Sequence, residues 1–150
     1  MATRRVLLAV VVCGIVEMLA LAALGQEPVP QVPAKGTLKV TVEYKGAGKV
    51  DKDHQIWIWV FDTPTIDGSS MPIAANSLSE NGAAVTFASL PETVYIAVAF
   101  DEKGGYDGTT GPPPSGTPVM IYGDAGVARA IKTGGDAAVQ ITFDDSVRMP

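Results

Sequence analysis

Residues 83–101, AAVTFASLPETVYIAVAFD, read as strand, corner, strand. A period-two run ends at Phe87, Leu90-Pro91 turns the chain, and Thr93 opens a second run with Tyr95 early in it. In an antiparallel double sheet such a stretch carries the chain from one sheet to the other, with the tyrosine hydroxyl tying the corner to backbone. The stretch constrains the fold to an all-β sandwich. It carries no chemistry of its own.

The rest of the chain agrees. Thr37 to Tyr44 alternates, with Leu38, Val40, Val42 and Tyr44 on one face and Thr37, Lys39, Thr41 and Glu43 on the other. That is the pattern of a half-buried strand. Gln55 to Asp62 is apolar on both faces, as a central strand covered on both sides would be. Met71 to Leu78 predicts a weaker, edge-type strand, with Pro72 near its start. Asn81-Gly82 predicts a two-residue hairpin turn. Thr93 to Phe100 is the second central strand, and Asp101 to Pro118 is a long loop rich in glycine and proline. A short strand is expected at Pro118 to Tyr122. Val127 to Lys132 and Ala137 to Phe143 predict a closing hairpin across Gly134-Gly135. No helical spacing of apolar residues recurs after the first 25 residues. About seven short strands at intervals of roughly ten residues predict an Ig-like or prealbumin-like antiparallel β-sandwich.

Residues 1–25 predict an export signal: Arg4 and Arg5, an apolar run from Val6 to Leu24, and small residues Ala23 and Gly25 before Gln26. Glu17 within the run argues for cleavage over a permanent N-terminal anchor, because a buried carboxylate is costly in a bilayer. Residues 26–35, with prolines at 28, 30 and 33, predict an extended tether. The sandwich is expected at 36–145, followed by a tail at 146–150. The expected compartment is secreted or periplasmic. Cys13, the one cysteine, falls in the signal, so the exported domain would lack disulfides and thiolate chemistry. Stability must then come from an apolar core, which about 110 residues can supply. The formal charge is −5, and removal of Arg4, Arg5 and Glu17 with the signal makes it −6. No cationic cluster remains, which excludes nucleic acid and anionic membrane surfaces as partners.

The corner resembles that of two related groups. Leu90, Pro91, Thr93 and Tyr95 are similar to the Leu-Pro corner of fibronectin type III domains. Phe87, Leu90, Pro91, Tyr95, Ala99 and Asp101, followed by Gly104 and Gly105, resemble more closely the transthyretin-like or carboxypeptidase-regulatory-like domains of secreted bacterial proteins. Gly36 to Val40 and Ile121-Tyr122-Gly123 resemble that group too, while Thr93 stands where it usually has glycine. The resemblance spans residues 36–145 and implies a non-enzymatic accessory or adhesive module.

Three constellations could carry function. Trp57, Trp59 and Phe61 share one face of a strand. Left open, that face is an aromatic platform for sugars or peptides; covered, it is core. Asp101, Glu102 and Asp107, with Gly104 and Gly105, form an acidic loop that could take calcium weakly or simply be solvated. The spacing departs from the EF-hand loop, and no other cofactor is expected. His54, the one histidine, sits in the polar run Asp51 to His54 and cannot build a histidine-rich metal site. Leu90 to Val94 nearly spells a sortase motif but lacks its glycine and reads as the corner. Asp144 and Asp145 are adjacent on an extended chain and point apart, a poor acid/base pair. No strained nucleophile turn or phosphate loop is present. The sequence therefore predicts a non-catalytic module that acts either as a structural or accessory component of the envelope or matrix, or by recognising an extracellular protein or glycan through loops 62–72 and 101–118 at one end of the sandwich.

Overall fold

The computed structural model describes residues 35–150; the expectations for the signal and most of the tether lie outside these residues. Ten strands follow in order: β1 (Gly36–Tyr44), β2 (Ile56–Phe61), β3 (Ala74–Leu78), β4 (Ala84–Leu90), β5 (Thr93–Phe100), β6 (Val119–Ile121), β7 (Gly123–Asp124), β8 (Val127–Ala128), β9 (Ile131–Lys132) and β10 (Asp136–Phe143). Among the described residues there is no helix, and so none long and apolar enough to cross a membrane.

The period-two pattern decides the layers. On β1 the side chains of Leu38, Val40 and Val42 are fully buried, and those of Lys39, Thr41 and Glu43 face out. One sheet runs β10-β1-β4; the second runs β3-β2-β5-β6, with β9 also on β5. Their inner faces meet in one core: Leu38, Val40, Val42, Phe87 and Ile141 from the first, Ile56, Ile58, Val60, Ile96, Val98 and Phe100 from the second. Each such side chain contributes about 1.5–3 kcal/mol on leaving water. The chain is an all-β sandwich.

Three local expectations give way to longer-range pairing. β10 pairs with β1 in parallel, Leu38 beside Ala137 and Tyr44 beside Phe143. Residues 127–132 and 137–143 therefore form no hairpin. Ile131-Lys132 lies on β5 in the other sheet, and Gly134-Gly135 is part of a crossing between sheets. Asn81-Gly82 likewise joins strands of different sheets, β3 and β4. The Asn81 amide accepts from the Tyr44 backbone N–H at 2.7 Å and donates to the Tyr44 carbonyl at 2.8 Å. It thus takes the place of one more ladder residue at the end of β1. Gly82 supplies the left-handed backbone (φ +78°) that the turn requires.

Leu90, Pro91 and Glu92 carry the chain from one sheet to the other, and the polar tie at this corner comes from Thr133. Its buried hydroxyl donates to the Pro91 carbonyl, and its N–H donates to the Glu92 carbonyl at 2.8 Å. Tyr95 points the other way. Val94 and Ile96 take the core side of β5, so the Tyr95 ring falls on the outer face with Trp59 and Phe61.

Tyr44 closes the core beneath Phe100 and Phe143, with ring centroids 4.3 and 5.0 Å away, and its hydroxyl donates to Asp145. Burial, then the Asp145 carboxylate, hold its phenol well above the ordinary tyrosine range. The folded state thus keeps a proton that the unfolded chain loses near pH 10. Stability is fully present below that pH and falls above it. Melting temperatures from about pH 8 to about pH 11 should show this alkaline loss in the wild type and a flatter curve in Tyr44→Phe.

Candidate functional site

The outer face of the second sheet carries the aromatic residues. Alternation along β2 turns Trp57, Trp59 and Phe61 away from the main core; the 101–118 loop crosses over Trp57 and Trp59, and Ile66 and Tyr95 belong to the same cluster as Phe61. Trp59 and Phe61 are only 6% and 5% exposed, while Trp57 is half-buried. The Trp59 indole donates Nε1–H to the Gly108 carbonyl at 2.7 Å. Tyr106 stands edge-on to Trp57, with centroids 6.0 Å apart and planes at 72°, and lies 6.2 Å from Trp59. A Cβ on residue 108 would meet the Trp57 ring at 2.1 Å, so only glycine lets the loop lie this close. The three aromatics are therefore a roofed second core rather than an open platform. Trp57 is the member left beside solvent.

A cleft of about 400 Å³ opens there, bounded by Trp57 and Tyr106 and rimmed by Lys52, Asp53, His54 and Lys103. Strand register explains its position. Ile56 lies opposite Phe100, so the 45–55 loop is the neighbour of the 101–118 loop. The 62–72 loop leaves β2 beside Tyr95, at the far end of the sheet. The two loops expected to act together start from opposite ends, because antiparallel strands place the end of one beside the start of the other.

The acidic residues singled out by the sequence each have a definite partner. Asp101 is nearly buried, and its carboxylate accepts the Tyr106 N–H at 2.8 Å, folding the loop back toward the sheet. Asp107 accepts the Thr109 hydroxyl at 2.7 Å and its N–H at 3.0 Å, which holds its carboxyl below the usual range. Glu102 accepts from Arg148 Nη1 at 2.8 Å. The three acids thus do three separate tasks. Among the described residues no three acids, histidines or cysteines gather as a metal site would require. His54 Nδ1 lies 3.0 Å from Asp51, and that contact lowers the Asp51 carboxyl from its ordinary range. Asp145 bonds Tyr44 and the Ala47 N–H, while Asp144 caps the Ser146 N–H, so this adjacent pair serves two separate turns.

Sequence reasoning missed two residues. Tyr106 lies in a glycine-rich run with no periodicity to announce it. Arg148 lies in the short segment after the last strand, yet Val147 and Met149 form backbone bonds with Val119 and Thr117, and Pro118 bridges Arg148.

No family model and no curated protein matches the chain. Among solved structures, it is similar to the pilus-presented adhesin Spy0125 (Cpa) over 79% of its length, at 16% identity and a TM-score of 0.36. A second structure of that adhesin is similar over 75% at 18% identity and a TM-score of 0.34. A cysteine-to-alanine variant of it is similar over 81% at 14% identity, also at 0.34. The chain spans 28% to 29% of the length of those structures.

Proposed function

We propose that residues 36–145 form an exported, non-catalytic binding module of the transthyretin-like or carboxypeptidase-regulatory-like kind, which takes a sugar ring of an extracellular glycan in the cleft beside Trp57. The observation that carries this reading is the half-buried Trp57 indole, with Tyr106 edge-on to it at 72°, bordering a cleft of about 400 Å³. A sugar offers apolar C–H faces to an indole and hydroxyls to the rim. Lys52, Asp53 and Lys103 supply the donors and acceptors there. A volume of about 400 Å³ lies within the range of small-ligand sites. The signal-like pattern of residues 1–25 supports an extracellular setting.

Isothermal titration with chitohexaose and cellohexaose tests the reading. Binding should be saturable with at least one of them. Trp57→Ala should weaken it by at least about fivefold, since an aromatic face contributes about 1 kcal/mol beyond its buried area. No heat with either sugar, or equal affinity in the variant, would count against it. An aromatic strand face can also receive an extended peptide, and a peptide-display selection against the same cleft is the control for that occupant.

A further inference from the structure

The 101–118 loop has no strand of its own. It contains Gly104, Gly105, Gly111 and Gly116, all at positive φ, and the run Pro112-Pro113-Pro114. Its body meets the aromatic face through the Trp59–Gly108 hydrogen bond and the packing of Tyr106. Its two feet are joined by one side chain. Arg148 Nη1 donates to the Glu102 carboxylate at 2.8 Å and to the Gly116 carbonyl at 2.7 Å, across fourteen residues of loop. The segment bearing Arg148 adds a short ladder to the same foot: Gly116 N–H to the Met149 carbonyl at 2.9 Å, Met149 N–H to the Thr117 carbonyl at 2.9 Å, and Val119 N–H to the Val147 carbonyl at 3.0 Å. Arg148 Nη2 lies 3.5 Å from Asp145, which is itself held by Tyr44.

We propose that residues 147–149 act as a clip that holds the 101–118 loop closed over Trp59, and that release of the clip opens the aromatic face for binding. The proposal rests on the reading of Trp57 as a binding residue and adds the element that controls it: opening would exchange the Tyr106 wall of the cleft for the Trp59 indole. The clip is strong enough to set a closed state and weak enough to be released. Its ion pair is more than a third exposed, at 38% and 39%, where water screens the attraction. Its ladder is a three-residue edge rather than a central strand, the kind of unit that opens locally without global unfolding. Opening would uncover Trp59 beside Trp57, lengthening the aromatic face from one residue to two along β2. The left-handed glycines at 104, 105 and 116 lie close to the two feet, where a hinge must absorb the change in backbone angles.

Iodide quenching of tryptophan emission, read without any ligand, tests the clip by itself. The chain has two tryptophans, one half-buried and one roofed. Uncovering the second should raise the quenching constant by about twofold and shift emission to the red. That is the expected result for Arg148→Ala and for Met149→Pro, which removes the N–H bonded to Thr117, with far-UV dichroism as in the wild type. Glu102→Gln cuts the same bridge from the loop side and keeps the test open if either variant folds poorly. Quenching equal to wild type in all folded variants overturns the proposal. Titration with chitohexaose then separates the two readings. Greater quenching without sugar binding leaves the clip standing and removes the glycan reading. Sugar binding with unchanged quenching does the reverse.

Discussion

Gly36→Ala should lower the melting temperature by about 15–30 °C, the equivalent of roughly 4 kcal/mol in a domain of this size. The reason is a close approach of two backbones. A Cβ on residue 36 would lie 1.2 Å from the Thr133 carbonyl oxygen and 2.9 Å from the Gly135 carbonyl oxygen. Both atoms belong to the crossing that carries the chain from β9 to β10. Neither can yield as the end of a flexible side chain could. The crossing would have to move. It would then lose the Thr37 N–H bond to Gly135 at 3.0 Å and the Thr133 bonds that hold the corner at Pro91 and Glu92. The start of the parallel β1–β10 ladder and the corner would loosen together. Thermal unfolding followed by far-UV dichroism measures the effect. A fall of only a few degrees would mean that the crossing does not pass Gly36 as described.

The second large effect is expected at Phe100. Its ring is 1% exposed, lies 4.3 Å from the Tyr44 ring, and is so close to Gly48 that a Cβ there would meet it at 2.1 Å. It packs the second sheet against the end of β1 in the first. Phe100→Ala should cost about 3–5 kcal/mol, the transfer term plus that of a cavity bounded by rigid strands. Phe100→Leu keeps most of the volume and should cost far less. Urea titration of both variants gives the comparison. Near-equal midpoints would show that this corner of the core is not closely packed.

The central strands were legible because burial imposes period two directly on the sequence. Thr93–Phe100 is observed with the boundaries expected of it, β1 starts one residue before its expected start, and β2 is one residue shorter than expected at each end. Strand partners were not legible. Periodicity states which side chains face the core and is silent on which neighbour completes the ladder. The Leu38–Ala137 pairing joins residues ninety-nine apart, and no local signal encodes that distance. Asn81-Gly82 has the turn chemistry of a hairpin. That preference is about one turn's backbone angles and does not say whether the flanking strands share a sheet. At the site, alternation placed Trp57, Trp59 and Phe61 on one face. Whether that face is open depends on Gly108 and Tyr106, fifty residues away, in a loop whose path is set by polar contacts at Asp101 and Arg148. Tyr95 was read as the corner anchor from its place after Leu90-Pro91. The odd positions of β5 face outward, and Thr133 has the task instead.

The most direct test of the functional account is a proton–nitrogen correlation spectrum followed through a titration with chitohexaose and with cellohexaose. The two indole N–H signals are distinguishable in advance, because Trp59 is hydrogen-bonded to Gly108 and Trp57 borders the cleft. The account predicts a saturable shift of the Trp57 indole, together with the backbone amides of residues 52–54 and 103–107. Both indoles unmoved, with shifts confined to another face or absent with both sugars, would contradict it.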